Sequence, residues 1–118
     1  MPKQLATLDK DKAVQLVAGN EQLADDLLAI LIKELPDYKK ALQSQLINNN
    51  FKNKNWHELH NIIHKIHGGL RYVGTPALIE LIGKIDHELF NLSMIQVEKN
   101  MELIFIEIDK VIQAQRYK

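Results

Sequence analysis

Apolar residues recur along the chain at steps of three and four, and strand-like alternation is not sustained over any stretch. That spacing puts them on one face of an α-helix. A short first helix is predicted over residues 9–18, with Asp9 or Asp11 as its cap and Gly19 just past its end. Asn20 can cap a second helix, whose stripe runs Ala24, Leu28, Leu31, Leu35, Tyr38, Leu42, Leu46. Pro36 falls inside this stripe and removes a backbone donor, so a kink is expected there; the unbroken stripe argues against a full break. The run Asn48-Asn49-Asn50-Phe51-Lys52-Asn53 reads as a loop. Asn55 and Glu58 have capping-box spacing at the start of a third helix, predicted from Trp56 to about Val73 and ended by Gly74. Thr75-Pro76 then opens a fourth helix, with Thr as cap and Pro at the first helical position. Its stripe is Leu78, Leu81, Ile82, Ile85, Leu89. Ser93 and Gln96 form a second capping box before a fifth helix carrying Val97, Met101, Ile104, Ile108 and Val111.

Short connections between the last three helices favour antiparallel neighbours. The expected fold is all-α: an antiparallel four-helix bundle with a short N-terminal helix packed on it, formed by residues 1–118 as one domain. No internal repeat, linker or low-complexity segment divides the chain.

The third helix breaks the amphipathic routine. At about 100° per residue, with His64 as zero, Leu59, Ile62, Ile63, Ile66, Leu70 and Val73 fall on the far, core-facing side. His57, His60, Asn61, His67, Gly68 and Arg71 cluster around His64, which therefore sits in the middle of a polar face. Two glycines interrupt this helix, each costing about 0.5–1 kcal/mol relative to alanine. Gly69 is expected to face the core and to let another helix approach. Gly68 points outward one turn beyond His64, where no packing reason is obvious; the functional reading is that it clears space for a partner's backbone or for a group carried on His64, and the bland one is a chance helix-weakening residue.

Composition narrows the chemistry. Fifteen basic and fifteen acidic residues cancel, giving a formal net charge of zero. A nucleic-acid binder would show a basic excess, and membrane attraction would need one too. There are no cysteines, which removes disulfides, thiolate chemistry and cysteine zinc sites. No apolar run approaches the roughly 20 residues that span a bilayer, and Met1-Pro2-Lys3-Gln4 lacks the apolar stretch of a signal peptide. An exposed imidazole can serve as a nucleophile. Its unperturbed pKa near 6.5 leaves a neutral, nucleophilic nitrogen available at cytosolic pH.

The run His64-Lys65-Ile66-His67-Gly68-Gly69, followed by Tyr72-Val73-Gly74-Thr75-Pro76, resembles the histidine-containing phosphotransfer (HPt) domain. The likeness is to the C-terminal domains of BarA- and GacS-type hybrid sensor histidine kinases, and it extends over nearly the whole chain, including the Leu35-Pro36 step. The resemblance implies a phosphocarrier rather than an enzyme. His64 would accept a phosphoryl group from an aspartyl phosphate on a receiver domain and pass it to the aspartate of a response regulator. Lys65, His67, Gly68 and Arg71 would form the phosphate environment, and His60, Asn61 and Gly68 would meet the receiver. The receiver would supply the acid pocket and Mg²⁺, with no cofactor on this chain. A monomer in the cytoplasm is implied, tied to the inner membrane only through a parent kinase. In one respect the sequence departs from the family: many members have lysine three positions after the acceptor, where this chain has His67.

Three other readings compete. His57-Glu58-Leu59-His60-Asn61-Ile62 approaches the acceptor box of a histidine kinase dimerisation hairpin, but its basic residue and proline are missing and no Gly-rich nucleotide motif accompanies it. His57, His60, His64 and His67, at spacings of three and four, could chelate a metal, though the face lacks an obvious carboxylate to support such ligands. A plain interaction bundle is the third. Trp56 is expected as a core or staple residue, His87 at the surface, Met94 and Met101 as core filler, and Gly83 as an aid to helix crossing.

Overall fold

In the computed structural model, which describes residues 4–48 and 56–117, the Asp9 carboxylate accepts from the backbone N–H of Lys12 at 3.0 Å and starts helix α1, Lys10–Leu16. The helix ends in a tight turn in which Gly19, at φ +86°, donates its N–H to the Val14 carbonyl at 2.8 Å. Helix α2, Glu21–Asn48, begins where the Asn20 side chain accepts from the Leu23 N–H at 3.0 Å. It continues through Pro36 without ending. Leu31 and Leu35 before the proline and Leu42 after it are all buried, so packing on both sides outweighs the lost backbone bond.

Helix α3 runs Trp56–Leu70. It stops short of Val73 as the chain passes into turns, with Arg71 N–H bonded to the Gly68 carbonyl and Val73 N–H to the Leu70 carbonyl. The predicted Asn-rich loop and the Asn55 cap lie outside the described residues. Helix α4 spans Pro76–Glu88 and passes into a 3-10 turn at Leu89–Asn91. Thr75 occupies its cap position, but its hydroxyl makes no cap bond and is buried among apolar neighbours. Helix α5, Met94–Ala114, opens on the full Ser93–Gln96 capping box, with both reciprocal bonds formed.

The four long helices close into a ring, α2 against α3, α3 against α4, α4 against α5 and α5 back against α2, with α1 resting on α2. The core takes Ala24, Leu28, Leu31, Leu35 and Leu42 from α2, and Leu59, Ile63, Ile66 and Leu70 from α3. Ile82 and Ile85 from α4, and Met101, Ile104 and Ile108 from α5, complete it. Trp56 and Met94 join this core and His87 is exposed, as the periodicity suggests. Each fully buried Leu or Ile contributes roughly 1.5–3 kcal/mol, so the four on α3 outweigh the helix-weakening effect of Gly68 and Gly69. Lys39 on α2 bridges to Asp109 on α5 at 2.9 Å.

Among the described glycines, Gly74 in the α3–α4 connection is the most closely packed. A Cβ on Gly74 would collide with the Asp9 carbonyl oxygen and the Ala13 side chain. The close approach lets Asp9 donate its N–H to the Gly74 carbonyl at 2.9 Å, while the Gly74 N–H is accepted by the buried Tyr117 hydroxyl at 2.9 Å. Both ends of the chain are thus tied to the α3–α4 hairpin.

Gly69 corrects an expectation. It is exposed, and a Cβ there would meet nothing within 4 Å. The core direction set by Leu59, Ile63, Ile66 and Leu70 lies about 130° to one side of His64, which leaves Gly69 at the opposite margin of the stripe. No described helix is long and apolar enough to cross a membrane.

Candidate functional site

His64 lies near the middle of α3, and its side chain is 70% exposed. The ring is tethered on one side only: Nδ1 is 3.1 Å from Oδ2 of Asp86 on α4. A carboxylate only accepts, so this contact places the hydrogen on Nδ1 and leaves the lone pair of a neutral imidazole on Nε2.

Asp86 is shared. His67 Nδ1 lies 2.8 Å from the same Oδ2, and His60 Nε2 lies 3.0 Å from Oδ1 and 3.2 Å from the Asp86 backbone carbonyl. Three imidazoles thus converge on a carboxylate that is only 11% exposed. Burial alone would push the Asp86 carboxyl up. Hydrogen bonds from His67 and His64, together with the charge carried by the His64 and His60 rings, act the other way and hold it below the usual carboxylate range. An ionised Asp86 is therefore a steady acceptor for His64 and His67, while the hydrogen bond of His60 goes to the Asp86 backbone carbonyl.

The flanks of α3 differ. On the side facing α4, His60 and His67 are partly covered, at 31% and 28% exposure. His60 stacks on His64 with ring centroids 6.0 Å apart. The exposed ring of Phe90, just past α4, leans on both His60 and His57, at 5.2 and 5.5 Å. On the other flank Asn61, Lys65 and Gly68 are exposed, and Arg71 is exposed one turn beyond His67. A Cβ on Gly68 would meet nothing within 4 Å, so nothing in the fold itself requires a glycine there. Gly83 differs. Its missing side chain makes room for His67, whose Nε2 would lie 3.2 Å from a Cβ at that position.

The structure gathers His60, His64 and His67 into one network and leaves Asn61, Lys65, Gly68 and Arg71 as its open rim. The Nδ1 of His67, the residue that the family pattern places in the phosphate environment, is turned toward Asp86. The expectation that this face lacks a supporting carboxylate is also corrected, since Asp86 arrives from α4. Even so, among the described residues no three His, Cys, Asp or Glu side chains form a group able to hold a metal ion. Asp86, Phe90 and Gly83 were not singled out for this site from the sequence. A signal for them existed: in an antiparallel hairpin, positions equally far from its centre at Thr75 face one another. That rule pairs His64 with Asp86, His67 with Gly83 and His60 with Phe90, all observed contacts.

Comparison with known proteins places this arrangement. A family model described as the Hpt domain matches residues 26–116. The signal transduction histidine-protein kinase BarA of Escherichia coli (strain K12) is 34% identical over 84 residues, covering 71% of this chain and 9% of BarA. The sensor histidine kinase GacS of Pseudomonas protegens is 33% identical over 75 residues, covering 64% of this chain and 8% of GacS. The chain thus spans less than a tenth of the length of these curated relatives. The crystal structure of the HPT domain from a sensor hybrid histidine kinase of Shewanella superposes with a TM-score of 0.81 at 25% identity, covering 92% of this chain and 90% of that one.

Proposed function

The chain belongs to the Hpt domain family, and on that premise we propose that His64 is the phosphoacceptor of a histidine phosphotransfer module in a two-component phosphorelay. The observation that carries the assignment is the tether of His64: Nδ1 bound to Asp86 at 3.1 Å, with the side chain still 70% exposed. In the forward step the Nε2 lone pair attacks the phosphorus of a receiver aspartyl phosphate. An N–P bond forms, the acyl O–P bond breaks, and the receiver aspartate leaves as a carboxylate. Nδ1 keeps its hydrogen throughout. The positive charge that grows on the ring is met by the Asp86 carboxylate already in place, so little reorganisation is needed at the moment of reaction. The second transfer, to a response-regulator aspartate, is the reverse of this step.

Asp86 acts here as a positioning residue. Lys65 and Arg71 are the rim cations that offset the charge of the bound phosphoryl group. Gly68 allows a receiver backbone to come close, and Phe90 with His60 offers an aromatic edge beside the acceptor. Mg²⁺ and the acid pocket belong to the receiver. The reading makes the chain a carrier that binds no ATP and works with receiver domains as a monomer in the cytoplasm.

The test is to phosphorylate a receiver domain, add the protein and locate the label by tandem mass spectrometry under alkaline conditions, where phosphoramidates survive. Label on His64 supports the assignment. Label on His57, His60 or His67, with none on His64, contradicts it.

A further inference from the structure

Two observations about His67 and α4 belong together. The His67 Nδ1–H donates to Asp86 Oδ2 at 2.8 Å, a shorter contact than the 3.1 Å made by His64 to the same oxygen. The His67 ring also rests over Gly83, where a Cβ would lie 3.2 Å from Nε2 and 3.5 Å from Cε1. Gly83 sits inside α4, a place where glycine weakens a helix relative to alanine. At 3.2 Å a neighbouring atom must give by a few tenths of an ångström. The atoms that would have to give are those of the half-buried His67 ring.

We propose that Gly83 and His67 form a positioning pair: the gap at Gly83 seats the His67 ring so that its Nδ1–H anchors Asp86, and the anchored carboxylate fixes the orientation and tautomer of His64. This rests on His64 being the acceptor. It gives the residue three positions after the acceptor a role on the supporting carboxylate rather than on the phosphoryl group. One acceptor oxygen serves two N–H donors, so a change in how His67 meets Oδ2 changes what His64 meets. His60 bonds the Asp86 backbone carbonyl at 3.2 Å, and its Nε2 stands 3.0 Å from the other carboxylate oxygen, Oδ1. His67 points at Asp86 and away from the open rim, so it acts through Asp86 and is not itself a catalytic residue.

The test uses long-range ¹⁵N correlation NMR of the imidazoles, which needs no phosphoryl transfer, alongside transfer rates from a phosphorylated receiver. In the wild type, neutral His64 is expected as the tautomer with hydrogen on Nδ1. His67→Ala should mix in the other tautomer and slow transfer about tenfold. His67→Asn keeps an N–H donor near the position of Nδ1 and should restore most of both signals. Gly83→Ala should slow transfer about three- to tenfold while circular dichroism shows the helices intact. On a His67→Ala background, Gly83→Ala should have no further effect, because the ring it would displace is gone. The proposal is overturned if His67→Ala leaves the His64 tautomer unchanged. It is equally overturned if Gly83→Ala slows transfer by the same factor with and without His67. If the wild type accepts no phosphoryl group while its tautomer responds as described, the acceptor assignment fails, and only the coupling of Gly83 and His67 to the His64 tautomer stands.

Discussion

His64 presents most of its ring to solvent while Nδ1 is held by Asp86, and the two facts act on different parts of one side chain. Exposure gives a receiver access to Nε2. The tether decides that Nε2 carries the lone pair and limits the ring to few orientations. An exposed histidine without the tether would divide its time between tautomers and rotamers, which lowers the fraction competent for attack. Asp86→Ala is therefore expected to slow transfer by about ten- to a hundredfold with little change in helical content, measured by single-turnover transfer and circular dichroism. Asp86 also has a signature in stability. Its carboxyl is held below the usual range by the histidines around it, so the folded state binds this proton less readily than the unfolded chain does. The favourable contribution is present above the unfolded value of about 3.9 and is lost as pH falls through the lower folded value. The difference in unfolding temperature between wild type and Asp86→Asn should accordingly narrow once pH drops below about 4. A difference that widens there would contradict the assigned direction.

The hairpin of α3 and α4 is the element in which the site exists. Neither helix alone holds it, because His64, the proposed acceptor, lies on one and Asp86, which meets its Nδ1, on the other. The histidines at steps of three and four placed themselves on a common face in the sequence, since one helix's periodicity is enough to align them. The core stripes of all four long helices were legible for the same reason. Asp86 was not, because its meaning depends on which residue of a second helix stands opposite. Periodicity within α4 shows only a polar residue beside Ile85. Gly69 was misplaced by the same limit: the stripe gave the core's general side, but its centre was set by the neighbouring helices. Thr75 read as a cap from its place before Pro76, yet its hydroxyl is enclosed by the packing of the α3–α4 connection. That connection fixes the register of the hairpin, and Gly74 is its tightest residue. Gly74→Ala would drive a methyl group into Asp9 and Ala13, and a loss of roughly 1–3 kcal/mol is expected, read as a lower midpoint in urea unfolding. An unchanged midpoint would mean that the N-terminal segment can move away without cost.

At the scale of the whole molecule, the bundle works as a support. Helices α2 and α5 close the ring behind the hairpin, and the bonds of Gly74 to Asp9 and Tyr117 tie both chain ends to it. The site therefore rests on helices held from behind by the rest of the bundle. A formal net charge of zero offers no long-range attraction, so on the proposed reading a receiver would meet local features, the exposed cations Lys65 and Arg71 and the aromatic edge at Phe90. The central claim is that this platform serves one histidine. The most direct measurement mixes a phosphorylated receiver with the wild type, His57→Gln and His64→Gln proteins and follows acid-labile phosphate on each. The account predicts labelling of the wild type and of His57→Gln, and none of a folded His64→Gln. Labelling that persists on His64→Gln and disappears with His57→Gln would contradict it.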